Sequence, residues 1–338
     1  MDDQPFFSII IPAYNADEHL GKCLDALLES SYKSYEIIVV DDASTDNTAQ
    51  IARNKGATVL EHSQQSGPAA ARNDAALRAK GDILLFVDAD VIVTDETVTH
   101  VAQRFMNHPE IDALFGSYDI DSPENNFFSQ NKNLFHHFIH QQSREEAVTF
   151  WAGCGAIRKE VFQKVAGFDQ ERYRRPSIED IELGYRLKNM GHKILLDKTL
   201  QVKHLKKWKL RTLLRTDILD RAVPWTRLMA ENNEVLSDLN LQLYSKISSG
   251  LVGLLILFLV LTPYINEFLY GALIVVSLIG VLNWRFYRFI FQKRGLGFAL
   301  LAFLMHLFYY FYSGLTFVLC WAAHLFSGEK RTRLNLKS

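Results

Sequence analysis

Within the stretch ILLFVDADVIV, Ile83 to Val93, an apolar run is interrupted by two carboxylates, Asp88 and Asp90, one residue apart. Two bare acids at that spacing repel each other and lose solvation beside a buried strand, so the pair calls for a cation. Hard carboxylate oxygens aimed at one small volume suit Mg2+ or Mn2+. Magnesium keeps several waters and takes one or two carboxylates together with the phosphates of a ligand. A lone Asp-x-Asp is then half a site whose other half arrives bound, and a nucleoside diphosphate is a ligand that supplies it. The triplet also arises by chance on surfaces, so its surroundings must decide.

For the pair to stand at a rim, the run before it must be a buried strand, and the N-terminal half reads that way. FFSIIIPAYN and YEIIVVDDAS are short β-branched runs closed by Pro, Asn, Asp and Ser. Between them DEHLGKCLDALLES repeats Leu20, Leu24, Leu27 and Leu28 at the helical period. STDNTAQIARNKGA offers Ser44 or Thr45 as an N-cap and Gly56 as a stop. ATVLEH reads as a third strand, GPAAARNDAALRAKG as a third helix and DILLFVDAD as a fourth strand. This alternation predicts an α/β fold with a mostly parallel sheet and helices on both faces. Ligands of such sheets bind beyond the carboxyl ends of the strands. Tyr14 and Asn15, Asp41 and Asp42, and Asp88 and Asp90 fall there, at three strand ends. The sheet resumes with IDALFGSYDI, and two later helices end at Gly167 and Gly191.

Each rim residue has a chemical and a plainer reading. Asp42 can accept a hydrogen bond from a ring N–H of uracil or guanine, with Tyr14 as an aromatic face beside the base; alternatively Asp41 and Asp42 cap the helix after STDNT. Arg72 reaches a phosphate or is a solvated helix arginine. In SIEDIELGYRL, either Ser177 and Asp180 form a capping box at a helix start, or the Glu179–Asp180 pair places a carboxylate that takes the proton from an attacking hydroxyl. His136, His137 and His140 read as solvated helix residues ahead of metal ligands. Cys23, Cys154 and Cys320 lack metal or disulfide spacing and read as small buried hydrophobes.

SIIIPAYN, EIIVVDDASTDNT, GPAAARN, FVDAD, GCGAIRKEVFQKVAGFD and EDIELGYRLKNMGHKI occur in that order, and with them residues 6–230 resemble a family 2 glycosyltransferase of the GT-A fold. The resemblance implies that Pro12, Ala13, Tyr14 and Asp42 hold a nucleoside, Asp88 the ribose or phosphate region, and Asp90 the metal. It makes Asp180 the base and puts Glu179 at the acceptor. His204, in VKHLKKW, completes the metal and diphosphate site or is one more polar residue of a basic strip. The Gln-x-x-Arg-Trp block of processive synthases is echoed only by RAVPW, Arg221 to Trp225, which disfavours polymer extrusion. The acidic motif also differs from that of dolichol-phosphate-sugar synthases.

The 338 residues carry a net charge of −1, and the hydrophobic ones accumulate at the C-terminus. Ser248–Asn266 and Phe268–Trp284 are free of charge, which predicts two spans joined by TPYINEF. A third stretch, Leu296–Phe326, exceeds one upright span and is expected to tilt, break at Ser313–Gly314 or re-enter. The start MDDQPFF shows no basic signal region. The basic RFYRFIFQKR favours the cytoplasmic side, so the catalytic part is expected in the cytoplasm of a multi-pass cell-membrane protein. LKKWKLRTLLRTDILDRAVPWTRLM mixes Lys and Arg with Trp208, Leu210, Leu213, Leu214, Leu219 and Trp225, which suits a membrane interface; nucleic acid is a poor partner for it. The expected domains are a GT-A catalytic domain over 1–202, a basic amphipathic segment over 203–246, a transmembrane region over 247–326 and a basic tail over 327–338.

These readings predict an inverting, metal-dependent transferase for a cell-envelope glycan. It would move a sugar from a nucleotide diphosphate sugar, UDP-linked in the first instance, to a hydroxyl on a lipid or lipid-linked glycan at the membrane. A polyprenyl-phosphate acceptor is the alternative, and a non-catalytic membrane scaffold the third.

Overall fold

The computed structural model describes residues 4–232 and 238–326; the predicted basic tail lies outside them. The chain divides into two compact units, 1–207 and 208–338, so the boundary falls a few residues past the expected one.

In the first unit the elements are β1 (Phe7–Ala13), α1 (Asp17–Leu28), β2 (Tyr35–Asp41), α2 (Thr48–Asn54), β3 (Thr58–Glu61), α3 (Pro68–Arg78), β4 (Ile83–Val87), β5 (Val91–Ile92), α4 (Thr97–Asn107), β6 (Ala113–Tyr118), α5 (Phe127–Gln142), β7 (Glu146–Ala147), β8 (Cys154–Arg158), α6 (Lys159–Lys164), α7 (Glu179–Asn189) and β9 (Ile194–His204). The sheet order is β3-β2-β1-β4-β8-β6-β9-β5, with β7 beside β9. Strands β1 to β4 pair in parallel, as do β6 and β9, whereas β8 runs antiparallel between β4 and β6. The carboxyl ends of β1, β2, β4, β6 and β9 therefore share an edge with the start of β8.

Burial explains the strands. Phe7, Ile9, Ile10 and Ile11 of β1 and Leu84, Leu85, Phe86 and Val87 of β4 are fully enclosed, as strands covered by helices on both faces must be. In α1, Leu20, Cys23, Leu24 and Leu27 recur at helical spacing and form its buried stripe. Ile178 stands at the N-cap of α7 without a side-chain cap hydrogen bond, and the Ser177 N–H donates to Glu179 Oε2.

In the second unit, α8 (Leu210–Arg215) leads through a π-helical turn, Thr216–Ala222, into α9 (Val223–Asn232). A short 3-10 turn, Leu239–Leu241, precedes α10 (Leu243–Leu261), α11 (Glu267–Leu282) and α12 (Trp284–Phe326). Trp208, Leu213 and Trp225 of the basic segment are buried, while Leu210 and Leu219 are exposed. Within this unit α9 and the π-turn pack on α12, where the Tyr312 hydroxyl donates to the buried Asp217 at 2.7 Å. Leu243–Leu261 and Trp284–Phe326 are long and apolar enough to cross a bilayer, and Glu267–Leu282 is a shorter apolar helix.

The third hydrophobic stretch does not break at Ser313–Gly314. Helix α12 runs through that point, where Gly314 lies against Ser249 Oγ; the missing side chain serves a close helix approach. The interruption sits at Gly295, with φ 81° and ψ 179°, a left-handed conformation that glycine adopts without a Cβ penalty.

Candidate active site

Arg72 brings together two of the other expected residues, Asp88 and Glu179. Its helix, α3, packs against β1 and β2, and the residue is only 5% exposed. One guanidinium nitrogen donates to Asp88 Oδ1 at 2.7 Å and the other to Glu179 Oε1 at 3.0 Å. The cation also stands over the Phe168 ring at 5.5 Å. Arg72 is thus a buried strut between a strand-end carboxylate and the first turn of α7, not the solvated arginine that its helical context allowed. Asp180 follows Glu179. Its Oδ2 accepts from the Ala152 N–H at 3.1 Å, and its Oδ1 from the Ile181 N–H at 2.8 Å. Burial, and next the negative charge of Glu179, push the Asp180 carboxyl up to about 6 against the opposing pull of Arg72. A carboxylate poised just below neutral pH is suited to accepting a proton.

Asp90 is positioned by the backbone. Val91 pairs with His204 across β5 and β9, and the Leu205 N–H donates to the Asp90 carbonyl at 2.8 Å. Asp90 Oδ2 and His204 Nε2 consequently face each other at 3.5 Å. Burial opposes the Asp90 charge, yet His204, Lys206 and His19 hold its carboxyl down at about 2. Asp88 moves the other way: burial and then Asp90 raise it, with Arg72 pulling down. The His204 ring stacks on Tyr118, 4.3 Å between centroids and 8° from parallel.

The donor set fits a divalent ion. Two ligand atoms 3.5 Å apart can both reach a metal at about 2.0–2.2 Å. No group of three or more His, Cys, Asp or Glu side chains that could hold a metal ion occurs among the described residues.

The remaining rim residues organise loops. Asp42 is buried, and its carboxylate accepts from the Ser66 N–H at 2.9 Å and the Gly67 N–H at 2.8 Å, with His62 Nδ1 at 2.7 Å. His62 Nε2 lies 3.0 Å from Asp74 on α3. Asp42 thereby ties the end of β2 to the helix that carries Arg72. Asp41 Oδ1 accepts from the Ser44 N–H, and capping at α2 falls to Asp46, which holds Thr48. Asn15 Oδ1 accepts from the Thr45 N–H at 2.9 Å, joining the first two strand ends. Pro12 and Ala13 end β1, and Tyr14 beside them is 46% exposed, open to a flat ligand.

Sequence reasoning passed over Tyr118, His62, Asp74 and the Ala152 N–H. Their partners lie at least 12 residues away in the chain, so no local pattern marks them. The histidines of α5 are also not solvated as expected. His140 is buried with Nδ1 3.0 Å from the Gly116 carbonyl, and His137 Nδ1 is 2.7 Å from that of Tyr118. Cys23 and Cys154 are buried and Cys320 is half-buried.

A mixed sheet with acidic strand ends gathered at one rim defines the GT-A class. The mannosyltransferase PcManGT from Pyrobaculum calidifontis, solved in complex with GDP-Man and Mn2+, shares this fold with a TM-score of 0.58 at 17% identity, over 97% of this chain and 89% of its own. Residues 8–166 match the family model Glycosyl transferase family 2. The glycosyltransferase GlyG of Streptococcus pneumoniae is 32% identical over 127 residues, 36% of this chain and 42% of GlyG. A poly(ribitol-phosphate) beta-glucosyltransferase of Bacillus spizizenii is 40% identical over 99 residues, 27% of this chain. The chain spans less than half the length of these two relatives, 42% and 16%.

Proposed function

We propose that the protein is an inverting glycosyltransferase that moves a sugar from a nucleotide diphosphate sugar, UDP-linked in the first instance, to a hydroxyl on a lipid or lipid-linked glycan at the cytoplasmic face of the membrane. The observation that carries this reading is the Arg72 strut: a single guanidinium holds Asp88, on the donor side, and Glu179, next to the base, within one side chain's reach.

In this reaction Asp180 accepts the proton of the acceptor hydroxyl while that oxygen attacks the anomeric carbon. The bond from that carbon to the diphosphate breaks, and the nucleoside diphosphate leaves with the electron pair. Asp90 and His204, with Asp88, would hold Mg2+ or Mn2+, and a bound ion would neutralise charge growing on the departing phosphate. The solved mannosyltransferase of the same fold is a complex with Mn2+. Tyr14, Pro12 and Ala13 form one wall of the nucleoside pocket. Asp42 and Asn15 fix the loops around it, and Glu179 lies on the acceptor side. Helices α10 to α12 anchor the chain as a multi-pass protein, with 203–246 as the connecting segment and the soluble unit in the cytoplasm.

A hydroxyl acceptor is favoured over polyprenyl phosphate because a phosphate is already an anion and needs no base, whereas Asp180 is tuned to take a proton. The test is Asp180→Asn with radiolabelled donor and membrane lipids. Donor binding should survive with transfer lost at least about a hundredfold, and the wild-type product should resist mild acid. An acid-labile product, or full turnover by the variant, contradicts the assignment.

A further inference from the structure

Helix α12 is two helices folded back on each other. Were it unbroken, Tyr287 and Phe303 would stand about 24 Å apart at 1.5 Å per residue. Instead their rings are 5.2 Å apart, the Tyr287 hydroxyl and His306 Nδ1 are 3.0 Å apart, and Phe286 meets His306 at 5.0 Å. Only a reversal at Gly295, the one non-helical residue of α12, permits these contacts.

The two arms of this hairpin present different faces. The inward side of the first arm is Phe286 and Ile290, and that of the second is Ala302 and His306, all buried. Outward, Trp284, Arg288 and Phe291 follow at helical spacing and are exposed, as is Arg285, and Lys293 and Arg294 occupy the exposed tip. The returning arm exposes Leu296, Leu300, Leu301 and Leu304. No Asp or Glu occurs between Phe268 and Phe326, so every Lys, Arg, Asp or Glu there is a cation. An aromatic and arginine face beside a leucine face is the composition of an element seated at the headgroup level.

We propose that the hairpin 284–304 is a binding element for anionic phospholipid headgroups, with Arg285, Arg288, Lys293 and Arg294 as the phosphate-facing cations and the leucine face in the acyl boundary. The inference rests on the membrane reading above and adds the lipid class and the residues that select it. Each cation held near an anionic surface contributes measurably to association, so four of them give a preference for anionic over zwitterionic lipid. A role limited to orienting the spans during insertion would give none.

The full chain is reconstituted into vesicles of phosphatidylcholine, and the immobilised fraction of spin-labelled phosphatidylglycerol is compared with that of spin-labelled phosphatidylcholine. The wild type should prefer the anionic label by about threefold or more. Replacing Arg285, Arg288, Lys293 and Arg294 with glutamine should bring the ratio to about one, and Lys293→Gln with Arg294→Gln alone should lower it partway. Four glutamines at exposed cations of the first unit, Lys22, Lys80, Lys164 and Arg174, should leave it unchanged. A wild-type ratio near one, or a preference that persists in both tip and fourfold variants, overturns the proposal. Resistance to alkaline extraction is read in parallel: a protein that stays in the bilayer without lipid preference removes the inference alone, whereas one that is extracted removes the membrane reading too.

Discussion

Replacing Arg72 with methionine removes the guanidinium on which two carboxylates depend. Glu179 has only 6% of its side chain exposed and cannot turn to water, whereas Asp88, 33% exposed, partly can. Removing one partner of a buried ion pair costs about 3–5 kcal/mol because a charge is left uncompensated; with one of the two acids able to relax, the lower end, about 3 kcal/mol, applies. For a unit of this size each kcal/mol is worth about 2–4 °C, so the melting temperature of the unliganded chain should fall by about 6–12 °C. Thermal unfolding followed by intrinsic fluorescence reads this directly. Adding Glu179→Gln to Arg72→Met should restore at least half the loss, since the stranded charge is gone. If Arg72 were instead an open phosphate ligand, the variant would weaken nucleotide binding and leave the unliganded melting temperature within about 2 °C. That outcome, or a double variant no more stable than the single one, refutes the strut.

Two further predictions concern pH. The Asp180 carboxyl, raised to about 6, must be ionised to act, so kcat/KM should fall about tenfold per pH unit below 6 and level off above it; a flat profile from pH 5 to 7 excludes Asp180 as the base. A raised carboxyl also disfavours the folded state once both states are ionised, so Asp180→Asn should increase the melting temperature at pH 7.5 while transfer is lost, and a decrease contradicts the burial argument. Asp197 behaves oppositely. Burial opposes its charge, but Thr199, His100 and Arg104 lower it from 3.8 to about 2, so it stabilises the fold above pH 4 and that contribution disappears as pH falls through 2. Asp197→Asn should cost about 2–3 kcal/mol at pH 7, measured by denaturant unfolding; a loss below about 1 kcal/mol would show that the three donors do not act on it.

What the sequence made legible follows from locality. The β1–β4 half was readable because each strand is a β-branched run ended by its own turn residues and each helix carries its own apolar stripe. Strand β8 was hidden because CGAIR is short, made largely of small residues and runs directly into α6, and β9 because its alternation is interrupted by Asp197, which serves α4 rather than the core. Among the site residues, Asp88, Asp90 and Asp180 stood out as acids beside apolar runs. The partners of Arg72 could not be inferred, since Glu179 lies 107 residues away and the pairing depends on how α7 meets α3. Asp42 illustrates the same gap: its strand-end position was visible, but not the 62–67 loop that occupies its oxygens. At the C-terminus, charge-free length located the helices, whereas the fold-back at Gly295 depended on a backbone angle that a helical stretch of sequence does not announce.

The claim on which the account depends is that Asp88, Asp90 and His204 share a divalent ion with the diphosphate of a nucleotide at the sheet rim. Isothermal titration of UDP, and of GDP in parallel, into the chain with and without Mn2+ tests it most directly, with Asp90→Asn as the comparison. The account predicts binding of at least one nucleotide that requires Mn2+ and is lost in Asp90→Asn; equal affinity without the metal, or an Asp90→Asn variant that binds as the wild type does, would contradict it.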